Sequence, residues 1–156
     1  MFGKIELDEM EITSLVSKTG TTTLLNRSKN IFIYSIDTVK VDVVNYPFDW
    51  IEKPIVIEGI RLAGKKDISA MKLNAIAGRG SKKDFIDLFF LLKEYSLAEL
   101  FEFYKMKYPN GSVFSVLKSL SYFDDADAEP SPKMLVSVEW DHIKNTISEQ
   151  VKKHLA

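Results

Sequence analysis

The stretch "AMKLNAIAGRGSKKDFIDLFFLL", Ala70–Leu92, decides how this chain is read. It joins two runs of helical spacing across a bend at Gly78 and Gly80, and gathers Lys72, Arg79, Lys82, Lys83, Asp84 and Asp87 around that bend. On the near side, Asp67 can cap a helix through Ala77 with Ile68, Met71, Ala75 and Ile76 as its apolar stripe. "GRG" ends that helix, since glycine tolerates the left-handed conformation at a helix stop. On the far side Ser81 opens a helix in which Phe85, Leu88, Phe89 and Leu92 recur at helical spacing, while Ile86 and Phe90 widen the buried face.

A helix start favours anions through its free N–H groups and its dipole. Three cations there, Arg79, Lys82 and Lys83, build a pocket suited to phosphate, and Lys72 points along the preceding helix towards the bend. A structural reading stands beside this one. "SKKD" is a capping box in which Asp84 bonds back to Ser81, and Asp87 can pair with Lys83 four residues earlier. Ion networks cluster in the same way as sites do, so the residues alone leave both readings open.

Upstream the chain changes character. "DEMEITSLVSKTG" predicts a short helix with Met10, Leu15 and Val16 and a closing Gly20. "NIFIYS" and "TVKVDVVNY", parted by "ID", predict an antiparallel hairpin. In its second strand Val39, Val41 and Val43 share one face, leaving Lys40, Asp42 and Val44 on the other. A third strand, "PIVIEGIRLA", follows. Asp42 is either an acid on a solvated face or a metal ligand or base held on a rigid strand, against the strand propensity of aspartate.

Downstream everything reads helical. Ser96 with Glu99 forms a capping box, Ser112 caps "VFSVLKSLSYF", "DDADAEPSP" is a loop, and an amphipathic helix runs from Asp141 to Leu155. The expected class is α+β: a small mixed or antiparallel sheet over residues 1–62, then a helical bundle over 63–156, as one domain.

Composition narrows the functions. The chain has 156 residues, 46% of them hydrophobic, enough for a real core. With 21 Lys+Arg against 22 Asp+Glu, no global field draws it to polyanions. Zero cysteines exclude disulfides, zinc–thiolate sites and thiol catalysis. "MFGKIELDEMEI" has no signal-peptide apolar core, and no segment reaches the roughly 18 apolar residues of a membrane span. A cytoplasmic protein is expected. His142 and His154 fall in the charged last helix and are expected at its surface.

The segment "GIRLAGKKDISAMKLNAIAGRGSKKDFIDLFFLL" resembles the AbiEii/AbiGii nucleotidyltransferases, toxins of bacterial abortive-infection-type toxin–antitoxin pairs. The resemblance extends to "VKVDVVNYP" upstream and to "YSLAELFEFYKMKYP", "VLKSLSYFDDADAEPSPKML" and "VEWDHIK" downstream. It implies a DNA-polymerase-β-like nucleotidyltransferase fold and transfer of a nucleoside monophosphate from an NTP to an acceptor such as tRNA or another RNA. Two Mg²⁺ ions would lie between carboxylates and phosphates. By that resemblance Asp42 matches the strand acid and metal ligand, Lys72 the lysine on the nucleotide phosphates, and Asp84 and Asp87 the acids of "KDFxDL". Arg79, Lys82 and Lys83 would support the nucleotide.

The family's first motif, a Gly-Gly-Ser/Thr turn followed by an Asp-x-Asp pair, has no counterpart here. "MFGKIELDEM" aligns with the segment just after it, so the fold is expected to be truncated at its amino terminus. One strand acid cannot hold two Mg²⁺ ions, which need several oxygen ligands each, so catalysis is expected to be impaired. The alternative is a non-enzymatic remnant that binds an antitoxin or a complementary half, or that self-associates through an open sheet edge.

Overall fold

The computed structural model describes residues 2–3, as backbone, and 8–156. Within the segment expected to follow the missing acid pair, Met1 and residues 4–7 lie outside the described residues. The chain divides into two units, Met1–Phe48 and Asp49–Ala156.

The first unit is a sheet with one helix. β1 (Phe2–Gly3) runs parallel to β4 (Val39–Asn45), while β2 (Thr22–Ser28), β3 (Ile31–Ile36) and β4 form an antiparallel meander in the order β1-β4-β3-β2. The expected hairpin is β3–β4. Its two-residue turn is Asp37–Thr38, with φ of 45° and 72°, the left-handed pair that matches strand twist. Asp37 also accepts the Thr21 N–H at 2.9 Å, and a Cβ on Gly20 would lie 2.1 Å from that carboxylate, so a larger residue there would push the carboxylate aside and strain this bond.

Val43 and Val41 pack with Phe32, Tyr34 and Ile12 in one core, on the face the period-two pattern gives them, while Val39, the third valine of that face, is exposed beside the turn. The helix α1 (Glu9–Val16) is capped by Asp8, but the side chain it buries is Ile12, while Met10 and Leu15 are exposed. β2 went unread because "TTLLNRS" lacks the alternation that marks a strand.

The second unit begins with a correction. "PIVIEGIRLA" is not one strand but a hairpin, β5 (Ile55–Ile57) and β6 (Ile60–Leu62), forming a separate two-stranded sheet. Glu58 and Gly59 take φ of 50° and 79° and reverse the chain. Six helices follow: α2 (Lys65–Gly78), α3 (Lys82–Leu91), α4 (Leu97–Lys107), α5 (Val113–Ser119), the single turn α6 (Asp124–Asp127) and α7 (Trp140–Leu155). α2 packs on α3, α4 and α5, and α7 covers α3 and α4. Leu73, Ile76, Phe85, Leu88, Leu100, Leu120 and Ile143 are buried between them.

Caps match their sequence signatures. Ser96 and Glu99 form a reciprocal capping box, and Ser112 accepts the Ser115 N–H. The acidic loop is more structured than expected. Its Asp127 accepts the Trp140 indole N–H at 2.6 Å and the Lys144 ammonium at 3.0 Å, and these bonds hold the carboxyl below its usual range. His142 and His154 are exposed, each lying against a phenylalanine ring. The class is α+β, a small sheet followed by helices.

Candidate functional site

The α2–α3 corner assembles four of the expected residues. α2 ends at Gly78, and Gly80 (φ 55°) supplies the left-handed residue that turns the chain into Ser81, the cap of α3. This turn brings Asp84, at the first turn of α3, back against α2. Asp84 is fully buried and accepts four hydrogen bonds. The Lys72 ammonium reaches Oδ1 at 3.0 Å. Arg79 spans both oxygens, Nη2 at 3.0 Å and Nε at 2.8 Å, and the Ser81 hydroxyl donates at 2.9 Å. Ser81 thus donates to the carboxylate instead of closing the expected capping box. Asp87, one turn on, pairs with Lys72 and not with Lys83.

Burial alone would raise the Asp84 carboxyl, but the bonds from Arg79 and Lys72 outweigh it and hold the acid below its ordinary value. Burial likewise works to lower Lys72, and its bonds to Asp87 and Asp84 reverse the sign and raise it. Both directions favour the charged forms of Asp84 and Lys72. Asp84 is its buried anchor, while Lys72 (23% exposed), Asp87 (49%) and Arg79 (59%) form its wet side.

Two cations differ in placement. Lys83 is exposed on α3. Lys82, expected among the phosphate ligands, is buried. Its ammonium donates to the Glu129 carbonyl and stacks 5.3 Å from the Trp140 ring, and its N–H binds the Glu129 carboxylate at 2.9 Å. Here Lys82 ties the acidic segment to α3. Asp42 belongs to the first unit, opposite Ile33 on β4, with Lys40 at 3.7 Å.

A second charged pair was missed by the sequence reading. Asp67, expected as the cap of α2, lies inside its first turn, and Gly64 takes the cap position. Asp67 receives the N–H groups of Ile51 and Glu52 at 3.0 and 3.2 Å, and its Oδ1 lies 2.6 Å from Lys107 Nζ, both side chains fully buried. The signal was present in the spacing. Lys107 falls on the stripe Leu97, Leu100, Tyr104, and Asp67 on the stripe Ala70, Leu73, Ile76, so each charge occupies a core position.

Among the described residues no three His, Cys, Asp or Glu side chains gather as a metal site would need. A pair of Mg²⁺ ions would need several oxygen donors beside Asp42, and among the described residues no such group of three gathers. Among the same residues no helix is long and apolar enough to cross a membrane.

The chain is 35% identical over 158 aligned residues to "Uncharacterized protein aq_aa25" of Aquifex aeolicus (strain VF5), covering 99% of this chain and 76% of that protein. No family profile matches the chain, and no solved structure does.

Proposed function

We propose that this chain, which belongs to the family of the Aquifex aeolicus protein aq_aa25, is a nucleotidyltransferase-like protein of the AbiEii toxin type, binding a nucleoside triphosphate at its α2–α3 corner. One observation carries this reading: a buried carboxylate, Asp84, holds Lys72 and Arg79 side by side at the edge of a helix start. An arriving phosphate exchanges with Asp87, the half-exposed partner of Lys72, while Asp84 keeps the ammonium in position. Arg79 retains N–H groups beyond the two it gives Asp84, and Lys83 adds a solvent-facing cation. Lys72 is thus the phosphate ligand, and Asp84 is a positioning residue.

The proposed reaction is transfer of a nucleoside monophosphate to an RNA acceptor such as tRNA. The acceptor hydroxyl attacks the α-phosphorus, the bond to the bridging oxygen breaks, and pyrophosphate leaves with its electron pair. The hydroxyl proton passes to a carboxylate. Since the carboxylates do not gather into a metal-holding group among the described residues, this transfer is proposed to be weak, with Mg²⁺ entering as the counter-ion of the triphosphate. A cytoplasmic location and a cognate antitoxin belong to the same proposal. Titration calorimetry with each Mg·NTP is expected to give saturable heat that falls at least tenfold in affinity for Lys72→Met, measured below that variant's lowered melting temperature, since the change strips a donor from the buried Asp84. No heat with any nucleotide would refute it.

A second reading, a partner-binding protein, is favoured by the β5–β6 hairpin. Ile55, Val56, Ile57, Ile60 and Leu62 are all exposed, between 44% and 63%. The two-residue turn makes Ile57–Ile60 a hydrogen-bonded pair, so Val56 and Arg61 turn their backbone groups to the two open edges. Arg61 would meet its own charge in a symmetric pairing, which leaves the β5 edge for self-association. Sedimentation is expected to show dimers that Val56→Pro abolishes and Arg61→Pro spares. A monomer at high concentration refutes it.

A further inference from the structure

The face of α3 next to the ion cluster carries a different chemistry. Lys83, Ile86, Asp87 and Phe90 follow at spacings of three and four and form one stripe of the helix. The irregular segment 132–136, which bends at Leu135 and Val136, lies beside that stripe, and between them is a groove of about 290 Å³. Its walls are apolar, Ile86 and Phe90 on the helix facing Met134 and Val136 on the segment. Two exposed lysines, Lys83 and Lys133, complete its lining. Asp87 is shared, lining the groove while pairing with Lys72. The groove therefore borders the cluster at Asp87.

We infer that this groove receives the base and ribose of the nucleotide whose phosphates lie on Lys72. This rests on the nucleotide-binding reading above and adds where the rest of the ligand sits. The groove suits a ligand with a flat apolar end and an anionic end, because its apolar walls are flanked by cations. Its volume selects further. Small-molecule sites run from about 300 to 1,000 Å³, so a groove at the foot of that range takes a ring and a sugar, with the triphosphate reaching past Lys83 and Lys133 of its lining to Lys72. Phe90, which carries the Lys93 ammonium 4.7 Å from its ring centroid, lines the groove with an aromatic ring of the kind on which bases stack whatever their identity, so the site discriminates weakly between the four nucleotides. Asp87 links the two halves of the ligand. When Lys72 turns to the phosphates, the Asp87 carboxylate loses its cation and accepts from the ribose hydroxyls instead.

The test compares Mg·ATP with inorganic tripolyphosphate, which has the charge but no base, on the full chain by titration calorimetry. Phe90→Leu removes the stacking face, and Val136→Trp fills the groove from an exposed position. Each is expected to weaken ATP about tenfold and leave tripolyphosphate within twofold, whereas Lys72→Met weakens both. ATP affinity unchanged in both groove variants, or an equal loss for ATP and tripolyphosphate, overturns the inference and leaves the phosphate site standing. Absence of binding of either probe to the unaltered chain overturns the nucleotide reading itself, and the inference with it.

Discussion

Replacing Lys107 with methionine is expected to cost the second unit about 3–5 kcal/mol, the range for removing one partner of a buried ion pair. The two charges lie 2.6 Å apart with neither side chain reaching solvent. At an effective dielectric of ~20 their attraction is about 6 kcal/mol, opposed by a desolvation penalty of several kcal/mol per ion. Methionine preserves the aliphatic volume, and Asp67 keeps the Ile51 and Glu52 N–H groups. Its charge, however, loses the cation, and the Asp49 carbonyl loses a donor at 3.0 Å. The double variant Asp67→Asn/Lys107→Met removes the stranded charge while the amide oxygen still accepts from Ile51 and Glu52. It is expected to lose only about 1–2 kcal/mol, the net worth of one or two hydrogen bonds.

Both tryptophans, Trp50 and Trp140, lie in the second unit, so fluorescence during urea unfolding reports on it directly. With an m value near ~2 kcal/mol/M, Lys107→Met moves the midpoint down by about 2 M. A loss under 1 kcal/mol, or a double variant no more stable than the single, would refute the reasoning.

Three further outcomes follow from particular side chains. Asp84→Asn is expected to cost about 2–3 kcal/mol, below the fully buried pair, because Lys72 and Arg79 can hydrate once released. The Asp84 carboxyl is depressed in the folded chain. The stability it adds is thus present above the unfolded value of about pH 4 and is lost as pH falls below it, so the acid unfolding limb should flatten in Asp84→Asn. Gly80→Ala meets no clash, its nearest new neighbour being the Ile76 carbonyl at 3.6 Å, but it forces a side chain into φ 55°, and thermal melts should show a loss of about 1–2 kcal/mol. Ser96→Ala breaks the capping box of α4 and should lower stability by about 1 kcal/mol in the same assay.

What was legible in the sequence divides by the range of the forces involved. The β3–β4 hairpin, the cap at Ser112 and the box at Ser96–Glu99 are local, and each carries its own signature in a few residues. The bend at Gly78–Gly80 was legible for the same reason, and with it the convergence of Lys72, Arg79, Asp84 and Asp87. The hairpin β5–β6 was not, although Gly59 sits in its turn, because the other turn residue, Glu58, takes a left-handed φ where asparagine or aspartate would be the usual signal before such a glycine. The partners of single charges were the least legible. Lys82 and Lys83 are neighbours in one helical turn, yet one is buried against Glu129 and Trp140 while the other faces water. Their fates depend on a segment nearly fifty residues away. Asp67 and Lys107 are forty residues apart and are joined only by the packing of α2 on α4.

The proposed nucleotide site turns on the Lys72 ammonium as the ligand of the phosphates. Its ε-methylene and ammonium resonances, assigned by comparison with Lys72→Arg, report on this directly when a non-hydrolysable nucleoside triphosphate is added with Mg²⁺. A saturable shift at Lys72 is expected, with a matching change at the Asp87 carboxylate as the two part. Saturation that leaves the Lys72 resonances unmoved, with the Asp87 pair intact, would contradict it.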